Sequence, residues 1–354
     1  MINDVCSEFK SGKNIKADSI SESGEYPVYG GNGLRGYTSS YNHEGLYVLI
    51  GRQGALCGNV RSVHGKTFIT EHAIAVAGNE ISNTSFLHYL FVKMNLGQYS
   101  DQSAQPGLAV NKLLKIKVVL PSVSEQTKIA RFLSLLDERI TTQNKIIDKL
   151  QSLIKGINQR VFMNNGINYK LGEISEIRSG YSGNQLLSKK GLKVSRIETI
   201  SGHKVNMERV GYVAPFESSD NYRLQVGDIL FSNINSVEYI GNTAFIDKDY
   251  DLYHGMNLLR LIPNNMVVIP FYLYLLLNTN RMLNRFKTVC NKAVSQASIN
   301  QTELGKTVVQ IPDINAQKQI CELYQALYDK LESEKYANSL FQKQKQYLLR
   351  QMFI

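Results

Sequence analysis

PSVSEQTKIARFLSLLDERITTQNKIIDKLQSLIKGINQRV, residues 121–161, is the stretch whose reading decides the fold. Ile129, Leu133, Leu136, Ile140, Gln143, Ile147, Leu150, Ile154, Ile157 and Val161 follow one another at spacings that alternate four and three. That is the seam of a helix made to pair with another helix, with Gln143 its single polar place. Pro121 and Ser122-Val123-Ser124-Glu125 supply a capping-box start, in which side chains satisfy otherwise unpaired amides. At about 1.5 Å per residue, roughly 38 residues reach about 57 Å, longer than one domain is wide. Such a stripe needs a long partner.

A candidate partner is in the same chain. Shifted by 191 positions, the sequence meets itself: Gln105 falls on Gln296, Leu113 on Leu304, Lys115 on Lys306, Val118 on Val309 and Pro121 on Pro312. Gln126 then falls on Gln317, Ile129 on Ile320, Leu136 on Leu327 and Phe162 on Phe353. Earlier parts match at slightly smaller shifts, as Phe86 with Phe271, Gly58-Asn59 with Gly241-Asn242 and His72 with His254. The second seam runs Ile320, Tyr324, Leu327, Leu331, Glu334, Asn338, Phe341, Lys345, Leu348, Met352, with polar groups that can fix register or partner. The order is therefore head, helix, head, helix, a duplication. The two helices are expected to pair antiparallel with each other, because a head lies between them; pairing with another subunit is the open alternative. Leu133, Leu136, Ile140, Ile147, Leu150, Ile154 and Ile157 are expected to meet Leu327, Leu331, Phe341 and Leu348.

Both heads read as strand-rich, so the fold class is α+β. Short apolar runs broken by Gly, Asn and Asp predict strands at Leu46–Gly51, Thr67–Thr70 and Ala73–Val76, then at Asp228–Phe231, Thr243–Ile246 and Leu258–Ile262. One helix is expected in each head, near Phe86–Asn95 and Phe271–Leu283. The length of 354 residues suits two domains, and 43% apolar with 20% charged residues suits a folded chain. No apolar run is long enough for a membrane span, and Met1–Val5 has no secretory pattern. Cys6, Cys57, Cys290 and Cys321 form no CxxC, as expected of thiols in a reducing cytoplasm.

Forty Lys and Arg against thirty Asp and Glu give a net charge of +10, spread along the chain: 11 against 9 in residues 1–122, 7 against 4 in 123–163, 16 against 13 in 164–313 and 6 against 4 in 314–354. A long, mildly positive surface suits duplex DNA. Twenty Tyr beside many Asn, Gln, Ser and Arg adds residue types that hold phosphates and read base edges. Enzyme motifs are not found. Gly31-Asn32-Gly33-Leu34-Arg35-Gly36 spells a dinucleotide fingerprint but leads into Tyr37–Tyr41, turn or strand material rather than a helix. There is no phosphate loop, no metal-ligand spacing among the six His, and no adjacent prolines such as an adenine methyltransferase needs. His72 and His254 match between copies and read as structural histidines.

The chain resembles the DNA specificity subunit of a type I restriction-modification system over essentially its whole length. The resemblance is carried by Tyr26–Gly33, Ile50–Val60, Thr70-Glu71-His72 and Ser103–Leu108, then by Gly227–Ser236, His254–Asn257 and Gln296–Asn300. The Pro-x-x-x-Glu-Gln helix entry stands at Pro121 to Gln126; at Pro312 to Gln317 the Glu is replaced by Ala316. The resemblance implies target recognition domains at 1–122 and 164–313, with spacer helices at 123–163 and 314–354 that pair as an antiparallel coiled coil about an internal pseudo-twofold repeat. It implies a non-catalytic, cytoplasmic subunit that recognises a bipartite, asymmetric site in double-stranded DNA. Two methyltransferase subunits and restriction motor-nuclease subunits would dock on it, and S-adenosylmethionine, ATP and Mg would belong to those partners. Heads about one helical turn apart, about 34 Å, would meet one face of the duplex.

Candidate DNA contacts come from polar, turn-bounded segments. They are Tyr29, Arg35, Arg52, Gln53, Asn59 and Gln105 in the first head. In the second they are Arg196, Asn233, Asn235, Tyr239, Asn257, Lys292 and Gln296. Gly30, Gly31, Gly58, Gly227 and Gly241 are expected to serve turns. A silent copy serving recombination and a coiled-coil scaffold without DNA binding are the competing readings; salt-dependent duplex binding separates the scaffold from the reader.

Overall fold

The computed structural model describes residues 1–101, 106–162, 166–292 and 296–353. The chain forms two compact units, Met1–Ile146 with Glu334–Ile354, and Ile147–Ser333.

The first unit holds strands β1 (Cys6–Ser11), β2 (Tyr26–Gly30), β3 (Gly33–Thr38), β4 (His43–Gly51), β5 (Val60–Ile69) and β6 (Ala73–Gly78). Helix α1 spans Thr84–Met94, α2 spans Val110–Leu114, and α3 begins at Val123 and ends at Val161 in the second unit. The six strands make one sheet in the order β1-β6-β4-β5-β2-β3, antiparallel except between β2 and β5. β4 and β6 are covered on both faces, which is why they read as unbroken apolar runs. Val48, Ile50, Ile74 and Val76 face a core shared with Phe86, Phe91 and Leu133, while Leu49, Ala73 and Ala75 pack on the other face with Val63 and Ile69.

The second unit contains β7 (Ile167–Lys170), α4 (Leu171–Ile174), β8 (Ser175–Ser179), β9 (Leu192–Val194), β10 (Gly211–Val213), β11 (Ile229–Phe231) and β12 (Ile234–Asn235). It continues with β13 (Thr243–Phe245), β14 (Leu259–Pro263), α5 (Pro270–Leu277), α6 (Asn280–Val289), β15 (Asn291–Lys292) and β16 (Ala297–Ser298). Then come α7 (Gln301–Gly305), β17 (Val308–Ile311) and α8, which runs from Ile314 to Met352. The strands divide among small sheets, β13-β11-β14-β8, β12-β16-β15, β10-β9 and β17-β7. The helix expected over Phe271–Leu283 is two helices. Thr279 breaks the run because its side chain accepts a hydrogen bond from the Met282 amide and so starts a new helix.

Both long helices are capped, by different chemistry. At α3 the Ser122 amide and hydroxyl donate to the Glu125 carboxylate, at 3.1 and 2.8 Å, and the Glu125 amide returns to Ser122 Oγ. At α8, where Ala316 replaces the Glu, Asp313 Oδ1 accepts the amides of Asn315 and Ala316 at 2.9 and 3.0 Å. One carboxylate closer to the helix start does the work of the missing one.

A buried glutamine then ties each long helix to its unit. Gln126 Oε1 accepts the Asn83 amide at 2.8 Å, and its Nε2 donates to the carbonyls of Ile81 and Pro121, both at 2.9 Å. Gln317 repeats this with the Ile269 amide at 2.8 Å and the carbonyls of Val267 and Pro312 at 3.1 and 2.9 Å. Both side chains are fully buried and satisfied.

Within the first unit, Leu349 of α8 joins Leu133 of α3 in the core, Lys345 Nζ meets Asp137 Oδ1, and Asn338 donates to Asn144 at 2.9 Å. Gln143 Nε2 donates to the Glu334 backbone carbonyl at 3.2 Å and also reaches its carboxylate. Within the second unit, Tyr324 donates to Asn158 at 2.9 Å, and Ile154, Ile157 and Phe162 pack with Ile320 and Tyr328 around the same core. Leu133, Leu136 and Leu331 of the expected seam are buried; Ile140, Ile147, Leu150, Leu327, Phe341 and Leu348 are half-buried. No helix among the described residues is long and apolar enough to cross a membrane.

Candidate nucleic-acid interface

In the first unit the candidates converge on a junction between the β2–β3 hairpin and the loop after β4. The hairpin settles the dinucleotide fingerprint: Gly31–Gly36 is a turn entering a strand. Gly31 lies against backbone there, and a Cβ on it would sit 2.6 Å from the His72 carbonyl oxygen. Only glycine allows that approach. Arg52 donates its amide to the same His72 carbonyl at 2.9 Å and accepts from the Leu108 amide at 2.9 Å. Gln53 Oε1 lies 3.1 Å from His72 Nδ1, and Gln53 pairs by a bridge with Gly107. The stem of Arg35 crosses Gly30. Tyr29 is half-buried beneath, packed against Leu49 and Ile69, and its carbonyl accepts the Thr70 amide at 2.8 Å.

Two residues here were outside the sequence selection. Arg61 on β5 packs over Gly33, its Nη2 3.4 Å from the Asn32 carbonyl. His72, half-buried, lies 3.2 Å from the Glu71 carboxylate as well as beside Gln53. Alternation along β5 puts Arg61 opposite Leu49, a register that only strand pairing reveals. The side chains of Arg35 and Arg61 thus lie over the glycines of the hairpin, beside the Arg52 backbone, while Glu71 contacts the histidine. Asn59 is exposed and closes the turn, accepting the Gly51 amide at 2.8 Å. Gln105 lies outside the described residues.

The second unit divides its candidates between two places. Arg196 and Asn257 line one cleft with Gln185, Glu198 and Met256. The Arg196 amide donates to Thr199 Oγ1 at 2.9 Å, its Nε stands 3.6 Å from Glu198, and Asn257 takes a left-handed φ of 64° that asparagine tolerates. His254, three residues before Asn257, is buried, its Nε2 2.9 Å from the Leu258 carbonyl. Burial pushes its pKa down to about 4, which favours the neutral ring.

Asn233, Asn235, Tyr239, Lys292 and Gln296 gather instead around the β12-β16-β15 sheet. Asn233 accepts the Ile299 amide at 2.9 Å through its backbone carbonyl, while its side-chain Oδ1 is buried with no partner among the described residues. The Asn235 side chain is committed to Ser232 Oγ, at 3.0 Å, and to the Ser236 amide, at 2.8 Å, so it shapes the turn. Tyr239, Lys292 and Gln296 are exposed.

The two units share the backbone frame of this region. Gly58 donates to the Gly51 carbonyl and Gly51 to the Asn59 carbonyl; Gly241 donates to the Ser232 carbonyl and Ser232 to the Asn242 carbonyl. Gly58 and Gly241 both have φ of 84°. Leu108 donates to Arg52 as Ile299 donates to Asn233, and Gln53 pairs with Gly107 as Ile234 pairs with Ser298. Arg52-Gln53 and Asn233-Ile234 therefore occupy one frame with different side chains. Among the described residues no group of His, Cys, Asp and Glu could hold a metal ion.

Comparison with known proteins agrees with this architecture. The profile described as the type I restriction modification DNA specificity domain matches residues 1–152 and 166–339. The specificity subunit of the type I restriction enzyme EcoprrI of Escherichia coli is 43% identical over 145 residues, 40% of this chain and 35% of that protein. The putative type I restriction enzyme MjaX specificity subunit of Methanocaldococcus jannaschii is 44% identical over 150 residues, 42% of this chain and 35% of its own length. These matches thus span about a third of each relative. The crystal structure of the S subunit of a type I restriction-modification system from M. genitalium superposes with a TM-score of 0.69 at 17% identity, covering 100% of this chain and 95% of that one. That likeness is one of fold. With both of its halves matched and two units built on one frame, the chain belongs to the type I restriction-modification DNA specificity family.

Proposed function

We propose that this chain reads a bipartite, asymmetric site in double-stranded DNA and supplies address rather than chemistry. Residues 1–122 and 164–313 act as two target recognition domains, one for each half-site. Segments 123–163 and 314–354 act as spacer helices, paired as an antiparallel coiled coil about a pseudo-twofold repeat, whose length sets the unread gap. The contacts of α3 with α8 inside each unit support the pairing, and the meeting of Gln143 with Glu334, 191 positions apart, supports the pseudo-symmetry.

The observation that carries the reading is the shared frame with exchanged side chains. Arg52 and Gln53 in one unit and Asn233 in the other are residue types that recognise different bases, Arg favouring guanine and Asn or Gln adenine, at about 1–3 kcal/mol per good pair. Arg35 and Arg61 beside Arg52 suit phosphates, which take most protein–DNA hydrogen bonds. Two methyltransferase subunits, and motor-nuclease subunits for restriction, dock on this chain in the cytoplasm; S-adenosylmethionine, ATP and Mg act within those partners.

The test is co-expression with the neighbouring open reading frames, followed by mapping of modified adenines. A split site is expected, and Arg52→Ala should relax or abolish recognition of one half only. A short continuous palindrome, or an unchanged preference in Arg52→Ala, would count against the reading.

A further inference from the structure

The contacts between α3 and α8 are made of different chemistry in the two units. In the first, Leu133 of α3 and Leu349 of α8 are buried in one core, and Lys345 meets Asp137, which also accepts the Tyr89 hydroxyl at 2.9 Å. The repeat offset of 191 makes Tyr324 and Asn158 the counterparts of Leu133 and Leu349, and Tyr328 and Ile154 those of Asp137 and Lys345. In the second unit Tyr324, fully buried, donates to Asn158 at 2.9 Å, and Ile154 and Tyr328 pack on one apolar core. An apolar pair and an ion pair in one unit thus answer a hydrogen-bonded pair and an apolar pair in the other. Gln143 and Glu334, which meet each other, are also each other's counterparts.

The repeat gives each helix a second possible partner, its own twin in another copy of the chain. In the same antiparallel register, α3 against α3 sets Leu133 against Asn158, Asp137 against Ile154 and Gln143 against Gln143. Asn158 then loses the Tyr324 hydroxyl and Asp137 loses its cation, both at half-buried positions where an unanswered polar group is costly. α8 against α8 sets Leu349 against Tyr324, Lys345 against Tyr328, and Glu334 against Glu334, two like charges. Each helix matches the other and mismatches itself.

We propose that Asp137, Asn158, Tyr324, Glu334 and Lys345 form a pairing code that joins α3 to α8 and rejects like-with-like association with a second copy of this chain. Polar groups in a helix seam select partners in this way, because the wrong partner leaves them unanswered. The code selects the kind of helix, and this chain supplies both kinds. The inference rests on the proposed pairing of the two helices and stands apart from DNA recognition.

Position 143 reports the outcome, because it faces itself only when two α3 helices pair. Full-length chains carrying Gln143→Cys are oxidised at equal concentration, and the disulfide-linked dimer is counted against a chain that keeps Gln143. With the seam otherwise unaltered, no dimer above that control is expected. Ile154→Lys offers Asp137 a cation in the like-with-like pair; combined with Glu334→Gln, it should raise the linked dimer about tenfold or more. Because Ile154→Lys puts a charge beside the core of the second unit, Asp137→Ile with Glu334→Gln is the second version. It removes the same mismatch from within the first unit and should act in the same direction. The helix pairing is checked separately, since Gln143→Cys with Glu334→Cys should close a disulfide within one chain. If that disulfide forms but neither altered seam links copies more than the unaltered one, the code is overturned. It is overturned equally if the unaltered seam links copies through position 143. If the disulfide within one chain does not form, the helix pairing itself fails and the code with it.

Discussion

The two units solve the same structural problem with different materials. Each long helix enters through a buried glutamine with the same three hydrogen bonds, and each candidate interface hangs on the same glycine turn and backbone pairing. Around that common frame the first unit builds one six-stranded sheet, while the second divides its strands among small sheets and adds a buried ion pair between Arg260 and Asp228, at 2.6 Å. The lesson is that the two units share what joins head to helix while their surfaces differ, as the proposed reading of two different half-sites requires.

The comparison breaks most visibly at the ion pair. Asp228 also accepts the Gln225 amide at 2.6 Å, and removing its charge strands Arg260 in the second unit. Asp228→Asn should cost about 3–5 kcal/mol in urea unfolding followed by a probe in that unit. A cost below about 1 kcal/mol would mean that Arg260 reaches water.

Next come the glutamines. Gln126→Leu and Gln317→Leu each leave one amide and two carbonyls without their partner, so each should destabilise its own unit by about 3 kcal/mol, with nearly equal effects. Unequal effects, measured by hydrogen exchange at Asn83 and Ile269, would show that the two ties are not equivalent.

Acid reads the burial of His254. His254 in the unfolded chain takes its proton near the ordinary value of 6.5, but in the folded unit only near 4. Between those values the unfolded state binds the extra proton, so the stability of the second unit falls as pH falls from about 6.5 to 4, by at most about 3 kcal/mol. His254→Gln should flatten that slope.

The caps are the smallest test. Ser122→Ala and Asp313→Ala should each cost about 1 kcal/mol, and Asp313→Ala combined with Ala316→Glu should recover little, because a glutamate at that place has lost the cap residue it answers.

Much of this frame was legible in residue order. The alternating seam of α3, its cap, the repeat at 191 and the apolar runs of β4 and β6 all follow from local periodicity and turn chemistry, which are written along the chain. The break at Asn278-Thr279 was missed because an apolar run of one period hides a side-chain cap until the hydrogen bond is seen. At the candidate interface, Arg35, Arg52 and Gln53 are legible as polar residues beside glycines, but Arg61 is not.

By itself the sequence determined that there are two heads, two long helices and an excess of positive charge, because helix periodicity, duplication and composition need no knowledge of what lies opposite. Only the tertiary structure decided which side chains share a surface, that Arg52 and Asn233 stand in one frame, and that His254 is buried while His72 is not. Those properties depend on register between distant segments. A single residue of slip turns a strand's side chains to the other face, and nothing local in the chain records which register wins.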